Sequence, residues 1–189
     1  MPAFLLIDLE CTCDDPMFER DDMETIEIGA VLGELTDEGF LPVRQHSFYV
    51  RPLIHRQLSA FCTSLTGIEQ HQVERAPTLA ETWHAFVHWL GDAPVRGWGS
   101  WGKFDATQLI LECRLKGLDF PLEALRHLNI KQLFARKRGH RTGLEMALQL
   151  SGLSFAGRPH CGVDDAMNIG RLLAQDALLR QAVLDRLPD

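Results

Sequence analysis

Ala3-Phe4-Leu5-Leu6-Ile7-Asp8-Leu9-Glu10 is the stretch on which the fold turns. It is apolar at every position up to Asp8, so neither face of the segment can meet water. A strand of that kind belongs in the middle of a sheet covered on both sides. Working outward, residues 25–35 and 45–51 read as two more strands, with Gly39 and Pro42 in the connection between them. Thr78 is a predicted N-cap, with Glu81 three residues on; Leu79, Trp83, Phe86, Val87 and Leu90 then recur at helical spacing until Gly91. Residues 95–98 read as a short strand, 104–116 as a helix stopped by Gly117, 142–150 as a helix, and 163 to about 183 as one long terminal helix. Leading strands followed by alternation predict an α/β sandwich with a central sheet flanked by helices.

The 189 residues fit a single domain, 1–189, and no repeat, low-complexity tract or linker divides them. Hydrophobic residues at 46% and charged residues at 24% are the balance of a globular protein. No apolar run reaches the roughly 18 residues that a membrane span needs. The N-terminus lacks the basic start and cleavage site of an export signal, so a cytoplasmic location away from membranes is expected. Five cysteines (Cys11, Cys13, Cys62, Cys113, Cys161) without paired CxxC spacing are then reduced thiols rather than a zinc site. A net charge of −7 excludes a broad basic face for long nucleic acid, but not a grip on a few nucleotides at an end.

Asp8 and Glu10 share one strand face. Two carboxylates so close at the end of a core strand repel each other and are poorly solvated, and a divalent cation with oxygen ligands, Mg²⁺ or Mn²⁺, removes the difficulty. The alternative is a strand running into an acidic loop, since Asp14 and Asp15 follow. Farther on, His160 precedes the terminal helix and Asp165 lies in its opening turns. Asp165 shares a helical face with Ile169, Leu172 and Leu173, which turns it toward the core. Asp164 shares its face with Asn168, Arg171 and Gln175 and so points to water or supports the helix start. In Gly97-Trp98-Gly99-Ser100-Trp101-Gly102-Lys103-Phe104-Asp105, three glycines let backbone pass close to a ligand and Asp105 opens a helix. Taken singly, His160 reads as a structural histidine and Asp105 as an acid favoured by a helix dipole.

Together, Asp8-Leu9-Glu10, then Asp105, then His160 five residues before Asp165, resemble the DEDDh exonuclease superfamily of the ribonuclease-H-like fold. The segments 8–13, 58–68 (Leu58-Ser59-Ala60-Phe61-Cys62-Thr63-Ser64-Leu65-Thr66-Gly67-Ile68) and 157–169 narrow the likeness to its ERI-1-like branch, including the bacterial KinA-pathway-inhibitor-type exonucleases. That resemblance implies a ribonuclease-H-like α/β/α sandwich with a mixed sheet and 3′→5′ exonuclease activity releasing nucleoside 5′-monophosphates. It implies Asp8, Glu10, Asp105 and Asp165 as ligands of two Mg²⁺ (or Mn²⁺) ions, and His160 as general base. Such a set is chemically coherent, because paired metals serve both the attacking and the departing oxygen and a neutral imidazole is available at cellular pH.

By the same resemblance Thr12 touches the terminal sugar and Leu65-Thr66-Gly67-Ile68 flanks the terminal base. Phe61 and Trp101 either stack on bases or pack in the core. Where eukaryotic relatives place Trp directly before the acid, this chain reads Trp101-Gly102-Lys103-Phe104-Asp105. The expected partner is a single-stranded 3′ end, RNA favoured; a DNA-preferring exonuclease and a non-catalytic binding adaptor on the same fold are the alternatives. The basic run Lys131, Arg136, Lys137, Arg138, His140 and Arg141 reads either as a solvated loop or as a phosphate guide. No appended RNA-binding domain is recognisable in these residues, so a weak grip is expected.

Overall fold

The computed structural model describes residues 3–14, 22–139 and 141–188, with Lys137 as backbone only. Five strands, β1 (Ala3–Cys11), β2 (Thr25–Leu35), β3 (Phe40–Tyr49), β4 (Val95–Ser100) and β5 (His127–Asn129), form one sheet in the order β3-β2-β1-β4-β5. β1 pairs antiparallel with β2 and parallel with β4; β2–β3 is antiparallel and β4–β5 parallel. Eight helices accompany them among the described residues: α1 (Ala60–Thr66), α2 (Gln70–Arg75), α3 (Leu79–Leu90), α4 (Phe104–Lys116), α5 (Ile130–Arg138), α6 (Leu144–Leu150), α7 (Gly162–Gln175) and α8 (Ala177–Leu184). None is long and apolar enough to cross a membrane.

The two-faced apolarity of β1 sorts the core. Phe4 and Leu6 join a cluster with Ile169, Leu172 and Leu173 of α7 and the buried faces of α5, α6 and α8. Ala3, Leu5, Ile7 and Leu9 join another with Leu79, Trp83 and Phe86 of α3 and Ala106, Leu109 and Cys113 of α4. Leu172 and Leu173 are wholly buried, each worth roughly 1.5–3 kcal/mol. Asp8 and Glu10 continue the Phe4–Leu6 face, so they emerge beneath α7. The expected layered sandwich with a mixed central sheet is what forms.

Thr78 caps α3 in a reciprocal capping box with Glu81, and Gly91 ends the helix, as the sequence predicts. Gly117 likewise ends α4, in the left-handed conformation. Two expectations are corrected. The second hairpin strand starts at Phe40, so Pro42 lies inside β3, where the register shifts opposite Leu32/Gly33; the edge of a sheet tolerates a proline that its middle would not. The single terminal helix is two, because Asp176 takes extended backbone and its Oδ1 accepts the Leu179 N–H at 3.0 Å, capping α8. α6 starts at Leu144, after Gly143 as its cap.

Candidate active site

The site begins where α7 meets the sheet. Asp8 and Gly29 are paired residues of β1 and β2. A Cβ on Gly29 would collide with the Gly162 backbone, and one on Gly162 would stand 2.8 Å from the Asp8 carbonyl oxygen. Only two glycines permit this approach, and it sets the first turn of α7 over the end of β1. The ligand oxygens of Asp8, Glu10 and Asp165 consequently all lie within 4.8 Å of one another. Glu10 is buried, and Asp8 and Asp165 are half-buried. The inward orientation expected for Asp165 is the one observed.

Asp164 faces elsewhere, though not simply to water. It is half-buried, and its Oδ2 accepts the Arg158 backbone N–H at 2.9 Å, holding the turn at Gly157. The Arg158 side chain then lies against Gly67 at the end of α1 and donates to the Ser64 carbonyl. Between these contacts sits His160, exposed and left-handed (φ 60), the sole non-glycine with positive φ among the described residues. Strain of that kind costs on the order of 1–2 kcal/mol and persists where the surroundings dictate it. The backbone N–H groups of His160 and Cys161 donate to the Asp165 carboxyl, which couples the loop to the acid cluster.

Asp105, in the first turn of α4, is buried beside the cluster rather than within it. Its Oδ1 accepts the Leu9 N–H at 3.1 Å, and the Ser100 side chain, which donates to the Gly102 carbonyl, is near enough to favour its ionised form. It is still close enough for its charge to act on Asp8 and Glu10. The structure thus gathers three of the four expected ligands tightly and sets the fourth alongside.

Burial, and then the charges of Asp165, Glu27 and Asp105, push Glu10 up to about 8, against a partial relief from Arg158. Burial lifts Asp165 to about 6 despite its backbone donors. Asp8 is driven well above the carboxylate range by burial, then by Asp105, Asp165 and Glu10. Asp105 also rises through burial, less so because of its donors. Asp165 Oδ2 is buried without a partner among the described residues. An orphaned carboxylate oxygen and three converging acids that resist ionisation are the donor set a divalent cation fits.

A pH dependence follows for the metal-free protein. Below the ordinary carboxyl range both folded and unfolded chains are protonated, and the cluster costs nothing. As pH rises from about 4.5 to about 8, the unfolded chain releases its protons first, and folded stability drains away. Melting temperature in EDTA should therefore fall across that window, and saturating Mn²⁺ should flatten the slope. Equal slopes with and without Mn²⁺ would show that the cluster holds no cation.

One residue of the site escapes sequence reading. Glu27, in β2 directly opposite Glu10, is 1% exposed; its Oε2 accepts the Gly162 N–H at 3.1 Å and its Oε1 the Ser47 hydroxyl. It fastens the start of α7 to the sheet while adding negative charge beneath Asp8, Glu10 and Asp165. Its one local signal is an acid at an otherwise apolar strand position, Ile26-Glu27-Ile28.

The remaining expected contacts divide. Phe61 is 46% exposed on α1 and free to stack, and Leu65 and Gly67 are half-buried at the end of the same helix. Of the two readings left open for Trp101, the structure has the packed one: it is buried in the core against Phe134, with ring centroids 5.9 Å apart. Thr12 and Thr66 are also buried. The Thr12 hydroxyl accepts the Glu24 N–H, and the Thr66 hydroxyl donates to the Cys62 carbonyl, so each side chain is engaged internally. Glu24 binds the Leu53, Ile54 and His55 N–H groups and the Lys116 ammonium, tying β2 and α4 to the loop that leads into α1. All five cysteines are free thiols, as expected.

The model of the RNase_T family, described as "Exonuclease", matches residues 5–173. The 3′-5′ exoribonuclease 1 of Homo sapiens is 34% identical over 176 residues, which take in 88% of this chain and 50% of that protein, so the chain spans about half its length. The solved nuclease domain of 3′hExo, described as a DEDDh family member bound to rAMP, is 30% identical with a TM-score of 0.82, covering 99% of this chain and 96% of that one. A 3′-exonuclease solved for its 3′-end-specific recognition of a histone mRNA stem-loop is also 30% identical, with a TM-score of 0.83 over 95% of this chain and 63% of that one.

Proposed function

The chain belongs to the RNase_T exonuclease family, and from that footing we propose that it hydrolyses the 3′-terminal phosphodiester of single-stranded nucleic acid, RNA in preference to DNA. The observation that carries this reading is the convergence of Asp8, Glu10 and Asp165 within 4.8 Å, with His160 at the rim. Two divalent cations, Mg²⁺ or Mn²⁺, would be held by these three acids and Asp105. Bound there, they supply Lewis-acid charge neutralisation at the scissile phosphate.

The chain's own groups do the rest. His160, exposed at the end of the loop before α7, takes the proton of a water that attacks phosphorus. The bond from phosphorus to the upstream 3′ oxygen breaks, so the phosphate leaves on the released nucleoside 5′-monophosphate and the shortened strand keeps a 3′-hydroxyl. Exposed Phe61 offers a face to the terminal base. The preference for RNA is supported by the human exoribonuclease and by the rAMP held in the similar nuclease domain. Free thiols support a cytoplasmic setting.

A 5′-labelled RNA should shorten as a ladder in Mg²⁺ or Mn²⁺ and stay intact in EDTA, with the matched DNA cut more slowly. Internal cuts at early times, or full activity after chelation, would defeat the reading.

A further inference from the structure

β1, β4 and β5 run parallel, so their carboxyl ends share one sheet edge. The acid cluster stands at the end of β1, and Ser100, close to Asp105, ends β4. Past the end of β5, on that same edge, lies a cavity of about 470 Å³ lined by Lys103, Phe104, Asn129, Lys131, Gln132 and Arg141. Three cations and two neutral amides face it, and no carboxylate does among the described residues. None of the three cations enters an ion pair among the described residues. In a chain of net charge −7, three cations gathered with neither a carboxylate in the lining nor an ion pair among the described residues stand against the overall charge. Two inter-strand spacings, roughly 10 Å, separate β5 from β1.

The structure also divides the basic run of residues 131–141. Arg138 pairs with Asp176 at 3.1 Å and lies over the Phe134 ring, so it is structural. Arg136 is exposed away from the cavity lining. The Lys137 side chain and His140 fall outside the described residues. Of this run, Lys131 and Arg141 turn toward the cavity, where Lys103 joins them from the segment leading to Asp105.

We propose that the Lys103–Lys131–Arg141 cavity is a subsite for backbone phosphates of the strand upstream of the nucleotide being removed. Lys and Arg neutralise phosphate charge without reading sequence. Phe104, 39% exposed at the cavity, gives an upstream base a ring to lie on. The subsite deepens the exonuclease reading and rests on it: binding at the acid cluster fixes the 3′ end, and the cavity makes affinity grow with strand length.

The test compares the Lys131→Gln/Arg141→Gln protein with wild type and with Arg75→Ala/Arg114→Ala, which removes equal charge from exposed sites elsewhere. Dissociation constants of 5′-labelled RNA of two and of ten nucleotides are measured in Ca²⁺, and KM and kcat in Mg²⁺, at several salt concentrations. We expect the cavity variant to lose on the order of tenfold in affinity for the ten-mer and at most about twofold for the dinucleotide. The salt slope for the ten-mer should shrink by about 1.4, the share of two phosphate contacts on a single strand. The control pair should stay within about twofold of wild type. Equal losses at both lengths, or none, in an enzyme that still cuts RNA would overturn the subsite alone. A wild-type protein that neither binds nor cuts the ten-mer would overturn the exonuclease reading with it.

Discussion

Replacing Asp165 with Asn should cost turnover on the order of 10³-fold or more, whereas Asp164→Asn should keep most of it. Asp165 contributes one of three oxygens converging within 4.8 Å, and its Oδ2 has no partner among the described residues. An amide there removes the negative charge of this ligand, leaves one acceptor oxygen and presents an NH₂ to a cation. Loss of several kcal/mol of transition-state charge stabilisation corresponds to a rate effect of about that size. The Asp164 carboxylate instead accepts one backbone N–H from Arg158, and an asparagine oxygen accepts the same bond. The metal-free proteins should diverge the other way. Asp165→Asn relieves repulsion within a buried acid cluster and should melt a few degrees higher at about pH 8. Single-turnover rates, Mn²⁺ titrations and melting curves on the two variants decide the matter. Equal inactivity in two folded variants would show that the face assignment does not govern the chemistry.

His160 carries the second large effect. If its imidazole is the base, His160→Ala should keep Mn²⁺ affinity, because all four carboxylates remain, and lose about 10²- to 10⁴-fold in rate. The positive φ of this residue allows a cleaner separation than alanine alone. Glycine adopts that backbone without strain, so His160→Gly should be at least as stable as the parent and as inactive as the alanine variant. A histidine serving only the fold would give the opposite pattern: a lowered melting temperature and a nearly intact rate in what stays folded. Near-normal turnover in a folded, metal-binding His160→Gly protein would remove His160 from the mechanism.

What could be read from the sequence was whatever depends on short-range periodicity. The alternation of β1 places Asp8 and Glu10 on one face, the helical period of α7 turns Asp165 inward, and the capping box fixes α3 to the residue. What resisted reading depends on partners far along the chain. Glu27 looks like an acid stranded in an apolar strand until Gly162 arrives to donate to it, 135 residues later. Trp101 reads as core or as platform from the sequence, and its packing against Phe134 lies beyond any local signal. β5 has three residues, and α1 and α2 have seven and six, too few for a period to register. The break between α7 and α8 rests on one capping side chain within an otherwise continuous apolar pattern.

The proline inside β3 has a consequence beyond the sheet it belongs to. β3 is an outermost strand, and an outermost strand exposes a row of hydrogen-bonding groups on which another polypeptide can add itself. Leu41 and Val43, 64% and 59% exposed, would make this margin adhesive if it were flat and regular. Pro42 sits between them without an N–H, the register slips alongside it, and Arg44 follows, its guanidinium turned back over Trp89. The same residue that blurs the start of the strand in the sequence thereby guards the margin against self-association, where a regular Leu-Xaa-Val edge would seed aggregation.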